Sequence, residues 1–369
     1  MRLIACLTLL CSVLFAQRSE PDALFRQAVD AQQRGDFPAA IDNYRRFLKI
    51  HPDSIDALAN LGAALAQVGQ FDQAVERYRT ALRLDPSNTA IKMNLGLAFY
   101  KKGDAQAASQ QFENVLKDLP GDSRALILLG ECYHRLGKEE QAISVLGPLE
   151  SAQPGNPDLE YVLGAALVNS GQRKPGVAML EQVGKNTHSA DAYMLAGSAL
   201  IDLNDFDNAS RDIDQAYALN PNLPGIHTLR GVLRDNLRDP EGAEPELRQA
   251  LKIKPDDFQA NLLLGAILLK AHKTEEARSL LERAVRIDPS SGMARYELAL
   301  LKISLKELAS AAADLERVEK KSPDWLEPHI RLSALYFQLH RQEDGQREKE
   351  IVDRLSAEQR EKEIGDRPK

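Results

Sequence analysis

His227, Arg230 and Arg234 are the residues of this 369-residue chain whose types and spacing best suit chemistry. They stand three and four positions apart, so on a helix they share one face. Such a cationic face can hold a phosphate or a carboxylate. The segment after Asp239-Pro240 supplies Glu241, Glu244 and Glu246, so an internal set of ion pairs and a small-anion site are both open to this group. A second charged cluster, Asp202, Asp205, Asp207, Asp212 and Asp214, is of a type that can hold calcium. It lacks the glycine and the distal glutamate of a calcium loop, so a solvated helix face is the expectation over 205–214. The sequence contains no glycine-rich phosphate loop, no His-Glu-x-x-His, no Gly-x-Ser-x-Gly and no paired cysteines at metal spacing. The histidines are scattered, and His272 falls in a turn, where a cation at a helix C-terminus is favourable. Neither catalysis, a cofactor nor a metal is expected.

The elements that position these residues follow from a strict period. Small residues recur every 34 positions at Gly62, Gly96, Gly130 and Gly164, then after a one-residue slip at Gly197, Gly231 and Gly265, with Ala28, Ala299 and Ser333 in the same slot. Twelve positions further on the slot is small again, from Ala40 and Ala74 to Gly176 and Gly345. Pro52, Pro86, Pro120 and Pro154, then Pro221, Pro255, Pro289 and Pro323, keep step. The copy between Pro154 and Pro221 has lost its proline and one residue of its exit loop, within Gly184 to Ala190. Such a period marks stacked units that bury their apolar faces against one another.

One copy shows the unit. Leu58, Leu61, Leu65 and Val68 recur at helical spacing, as do Phe71, Ala74, Val75, Tyr78 and Leu82. Gly69 sits at the turn between the two helices, where a left-handed conformation needs no Cβ, and Asp85-Pro86 ends the second helix. The unit is an antiparallel helical hairpin. Cys132 occupies a slot held elsewhere by Ala64, Ala98, Ala166 and Ile267, so it reads as a buried packing residue; the other cysteines, Cys6 and Cys11, lie in the apolar start. Pro245 falls inside the second helix of its copy, where it removes a backbone bond. That copy and the shortened one are the expected weak or bent joints.

Leu58, Leu61-Gly62, Leu65, Ala74, Tyr78, Ala81 and Pro86 resemble the tetratricopeptide-repeat pattern, as do Leu264-Gly265, Leu268, Ala277, Leu281, Ala284 and Pro289. Ten copies fit the resemblance: 21–54, 55–88, 89–122, 123–156, 157–189, 190–223, 224–257, 258–291, 292–325 and 326–359, the last as a cap with a charged outer face. The resemblance implies an all-α, right-handed superhelical solenoid of antiparallel helix pairs. It also implies a noncatalytic scaffold or adaptor that binds a peptide or partner protein in a concave groove. In the family, first-helix positions two, five, nine, twelve and thirteen line that groove. Here they are Met93, Leu97, Tyr100 and Lys101, then Arg124, Ile127, Glu131, His134 and Arg135, then Asp158, Tyr161, Val168 and Asn169, with Met194 in the sixth copy. The family's carboxylate clamp is not matched, because Asn60 and Asn94 are present but its cations are not.

Residues 1–16 read as a signal peptide: Arg2 opens an apolar run from Leu3 to Phe15, too short for a membrane span, with Ala16-Gln17 at the cleavage point. A short linker, 17–20, precedes the repeats, and 360–369 is a charged tail expected to fray. The expected location is the periplasm or the exterior, or a membrane anchor if the leader is retained. A net charge of −7 gives no electrostatic footprint for nucleic acid. Partners are therefore expected to be proteins or peptides, with self-association open, and a regulatory noncatalytic subunit of an envelope enzyme or export complex is the alternative role.

Overall fold

The computed structural model describes residues 23–365, with side chains as far as residue 361. The leader read over residues 1–16 and the linker at 17–20 lie outside the described residues. Two compact units are present, one ending at His188 and the other beginning at Ser189. Twenty helices and no strand occur among the described residues. The protein is an all-α helical-repeat solenoid.

The first unit consists of α1 (23–33), α2 (Phe37–Ile50), α3 (Ile55–Gln67), α4 (Phe71–Leu84) and α5 (Thr89–Lys102), continuing with α6 (Ala105–Asp118), α7 (Ser123–Arg135), α8 (Glu139–Ala152), α9 (Pro157–Asn169) and α10 (Arg173–Thr187). Each odd helix from α3 packs on the even helix that follows it, and α3, α5, α7 and α9 are neighbours in succession or through their hairpins. Polar caps start the helices: Ser54, Asn88, Asp122 and Asn156 each accept a backbone N–H from the first turn of the next helix. Each such cap is worth ~1 kcal/mol against alanine. The glycine slot has a steric reason. A Cβ at Gly130 would stand 2.5 Å from the Leu146 side chain, and one at Gly96 would stand 2.7 Å from Phe112. The residue sixteen positions on therefore lies directly over each glycine, and Phe112, Leu146 and Leu180 are fully buried there.

The second unit consists of α11 (Ala190–Asp202), α12 (Phe206–Leu219), α13 (Ile226–Asn236), α14 (Pro240–Ile253) and α15 (Phe258–Lys270), continuing with α16 (Thr274–Ile287), α17 (Gly292–Ser304), α18 (Leu308–Lys321), α19 (Leu326–Gln338) and α20 (Gln342–Gly365). The same hairpins recur, with Ile213, Leu247 and Leu281 seated on Gly197, Gly231 and Gly265. α13 has 11 residues, fewer than the 13 of its counterpart α15, because Gly225 at φ +86° replaces a polar cap at its start. The residue missing from the shortened copy comes from its exit loop, which is reduced to His188 and Ser189 between α10 and α11.

α14 continues through Pro245, as α8 does through Pro148. Other expectations change. The acidic run is not one solvated face: Asp205 caps α12 and accepts from the Asn208 N–H, whereas Asp212 is 1% exposed and takes a hydrogen bond from Arg211 Nε at 3.1 Å. A helix buried on one face hides every residue that falls on that face, charged or not. The segment expected to fray from residue 360 is helical as far as Gly365, where α20 ends. His272 adopts φ +60° and so takes up the left-handed turn itself.

Candidate functional site

In the first unit α5, α7 and α9 lie side by side, and their exposed faces enclose a cavity of about 640 Å³. Its floor is apolar, made by Leu97, Ile127, Leu128 and Val162. Arg124, Glu131, His134 and Arg135 from α7 and Asp158 and Tyr161 from α9 form the polar part of the wall. Ser123 and Asn156 close one end.

Fixed contacts hold part of this wall. The Tyr100 hydroxyl donates to Glu131 Oε1, and Arg135 Nη2 donates to the same oxygen at 2.7 Å. The Arg135 guanidinium lies 4.3 Å from the centre of the Tyr100 ring, a stacked cation–π contact that joins α5 to α7. Burial, reinforced by the Glu131 carboxylate, pushes the Tyr100 phenol well above its usual range, so it stays a donor. His134 Nδ1 meets Glu139 Oε2 at 2.8 Å, and Asn169 Nδ2 donates to Glu139 Oε1 at 3.2 Å, which ties α7, α8 and α9 together. No hydrogen bond or ion pair engages the side chains of Arg124 and Asp158 among the described residues, and both are exposed. One free cation and one free anion thus stand at the end of an apolar floor.

The groove positions inferred from the sequence divide accordingly. Leu97, Arg124, Ile127, Glu131, His134, Arg135, Asp158 and Tyr161 line the cavity, and Tyr100 buttresses it. Met93 is half-buried against the core, Lys101 is exposed away from the cavity, and Asn169 serves Glu139. Val168 is buried and does not face a groove, because α9 and α10 approach so closely that a Cβ at Gly176 would stand 2.8 Å from it. Met194 belongs to the second unit. Leu128, Val162, Ser123 and Asn156 were not singled out. Asn156 is a helix cap and falls before the first groove position, so only its Asn-Pro signature could have flagged the end of the cavity.

Elsewhere the candidates for chemistry are spent on structure. His227 Nδ1 meets Glu246 Oε2 at 2.7 Å, and Arg230 Nη1 meets Glu246 Oε1 at 2.9 Å. Arg230 also stacks on Tyr217 at 4.1 Å, and Arg234 pairs with Asp239 at 3.0 Å. Arg230 also stands 3.9 Å from Asp214 of α12, so carboxylates of the trio's own hairpin and of the preceding helix engage all three side chains. Cys132 is fully buried, and burial pushes its thiol up to about 12, which leaves no thiolate at neutral pH. No helix among the described residues is long and apolar enough to cross a membrane.

Comparison with known proteins follows these repeats. Family models described as TPR repeat match residues 33–69 and 64–103, and models described as tetratricopeptide repeat match 99–166, 190–223, 237–303 and 268–330. No curated protein gives a match. Among solved structures the chain is similar to the MamA protein, at 23% identity over 45% of this chain and 90% of that one, with a TM-score of 0.42. It is also similar to yeast Tom70, at 14% identity over 95% of this chain and 100% of that one, with a TM-score of 0.39. A tetratricopeptide repeat protein from Parabacteroides merdae shares 15% identity over 77% of this chain and 99% of its own, with a TM-score of 0.43. Repeat models that together span more than half of the sequence, on a chain built of tandem helical hairpins, place this protein in the tetratricopeptide-repeat family of protein-interaction scaffolds.

Proposed function

We propose that the first unit binds a short linear segment of a partner protein in the cavity between α5, α7 and α9. The observation that carries this reading is the apolar floor of Ile127, Leu97 and Leu128 with the unpaired Arg124 and Asp158 at its end. An apolar side chain seated on Ile127 is worth ~1.5–3 kcal/mol when fully buried. Opposite charges at one end would fix the direction of the segment more than its affinity. The rigid Tyr100–Glu131–Arg135 set keeps the wall in place before binding, which lowers the ordering cost. No atom in the cavity is poised as a nucleophile, so the reading is recognition without catalysis. The leader over residues 1–16 supports export, and the partner is then a protein of the envelope or the exterior.

A photo-crosslinking residue placed in the expressed protein at Ile127, at Tyr161 or at the exposed Gln141 of α8 tests the site. One discrete adduct from Ile127 and Tyr161, absent from Gln141 and weakened roughly tenfold to a hundredfold by Arg124→Glu together with Leu97→Asp, is the expected result. N-terminal sequencing of the adduct should begin at Gln17. Equal adducts from all three positions, or adducts from Gln141 alone, would refute the groove.

A further inference from the structure

The second unit repeats one polar contact along its length. A polar residue on the first helix of a hairpin meets a carboxylate nineteen positions on, in the second helix: His227 with Glu246, Arg295 with Asp314, and His329 with Glu348. In two of these rungs a further cation reaches the same carboxylate. Arg230 takes the other oxygen of Glu246 at 2.9 Å, and Lys302 Nζ reaches Asp314 Oδ2 at 2.5 Å. The His329–Glu348 rung is the most buried, at 1% and 2% exposure, and its neighbour is instead another carboxylate, that of Glu319. Donor atoms of Glu319, His329 and Glu348 all lie within 4.8 Å of one another.

The ring of His329 is held in a definite orientation. Its Nε2 lies 2.9 Å from the Pro323 carbonyl oxygen, which can only accept, so Nε2 carries a hydrogen. The lone pair of a neutral ring is then on Nδ1, which points at Glu348 Oε2 from 2.7 Å. A bare lone pair and a bare carboxylate oxygen repel at that distance, so a proton or a metal ion must lie between them. An imidazole whose far N–H is anchored to a backbone carbonyl is also the arrangement that orients histidine as a metal ligand.

We propose that Glu319, His329 and Glu348 form a binding site for a divalent cation of the zinc type, which clamps α18, α19 and α20 together. Imidazole nitrogen with two carboxylates suits such an ion better than magnesium or calcium, which prefer oxygen ligands only. Metal–ligand distances of ~2.0–2.2 Å in tetrahedral geometry need donor atoms roughly 3.3–3.5 Å apart. The His329–Glu348 contact must therefore open by less than one ångström while Glu319 closes in. The proton between Nδ1 and Glu348 leaves to solvent as the metal enters. The ligands come from three helices, ten and nineteen residues apart, which is why no local sequence motif announces them.

The test is calorimetric titration of the full chain, freed of metal by chelation, with Zn²⁺ and separately with Mg²⁺, alongside thermal unfolding. Expected are one tight equivalent of Zn²⁺, a rise in Tm with Zn²⁺ but not Mg²⁺, and affinity at least about tenfold weaker in Glu319→Gln and in His329→Gln. Glu319 is only half-buried, so its variant keeps the fold, as circular dichroism can verify, even if His329→Gln does not. Absence of a tight equivalent, or Zn²⁺ binding unchanged in Glu319→Gln, would overturn the site and leave the rung as a buried histidine–carboxylate hydrogen bond.

Discussion

Glu297 shows how a single residue in this array sets a pH response. It sits on α17, where desolvation raises its carboxyl above the usual range and the charge of Lys270 offsets this only in part. A carboxyl raised in the folded state binds its proton more tightly there than in the unfolded chain. Its penalty is thus absent below the unfolded value and grows as pH rises through the window up to the raised one. Glu297→Gln is expected to increase Tm at pH 7 and to change it little at pH 4, and a pair of calorimetric scans checks both. At this scale the sequence showed which residues share a face but not how deep each one lies. His227 and Arg230 were readable as partners of the following helix because helical spacing fixes their side. Val168 was not readable, because its burial depends on Gly176 letting two backbones close up.

The turn inside each hairpin is an element the period located in full. Its second-from-last position has positive φ throughout, and it is Gly35, Gly69, Gly103, Gly137 and Gly171 in the first unit. In the second unit the same position holds Asn204, Arg238, His272, Lys306 and His340, with φ near +60° in each. An L-residue with a Cβ costs ~1–2 kcal/mol there, and asparagine less. Arg238→Gly and Lys306→Gly should therefore each stabilise the protein by about 1 kcal/mol, less the entropy glycine adds to the unfolded chain, and Asn204→Gly by only a few tenths. Equilibrium denaturation of the single variants would show it. The sequence predicted a left-handed glycine at Gly69 because glycine advertises that backbone. Lysine and arginine do not advertise it, and they are forced into it by the closure of the two helices they join.

At the scale of the molecule, a stack of hairpins must end in a face that tolerates water. α20 offers one: Gly345, Glu348 and Leu355 are buried against the array, and most of the exposed side chains described on the helix are charged. Removing residues 342–369 would uncover the face of α19 that carries His329, Ser333 and Phe337, which meet Glu348 and Gly345 in the intact chain. Such a truncation is expected to self-associate at micromolar concentration, measured by light scattering, while the full chain does not aggregate.

The polar rungs of the second unit make its repeats less interchangeable than their common length suggests. His227 with Glu246, and Arg295 with Asp314, match within a hairpin, and Arg295 and His329 also bolt down the carbonyls of Pro289 and Pro323 that close the preceding copy. A hairpin duplicated, deleted or shuffled with both its helices carries both partners of its rung along. A crossover between the two helices of a hairpin would strand an arginine or a glutamate in the interior. Recombination of this array, in nature or in the laboratory, should therefore succeed at its proline loops and fail at its inner turns.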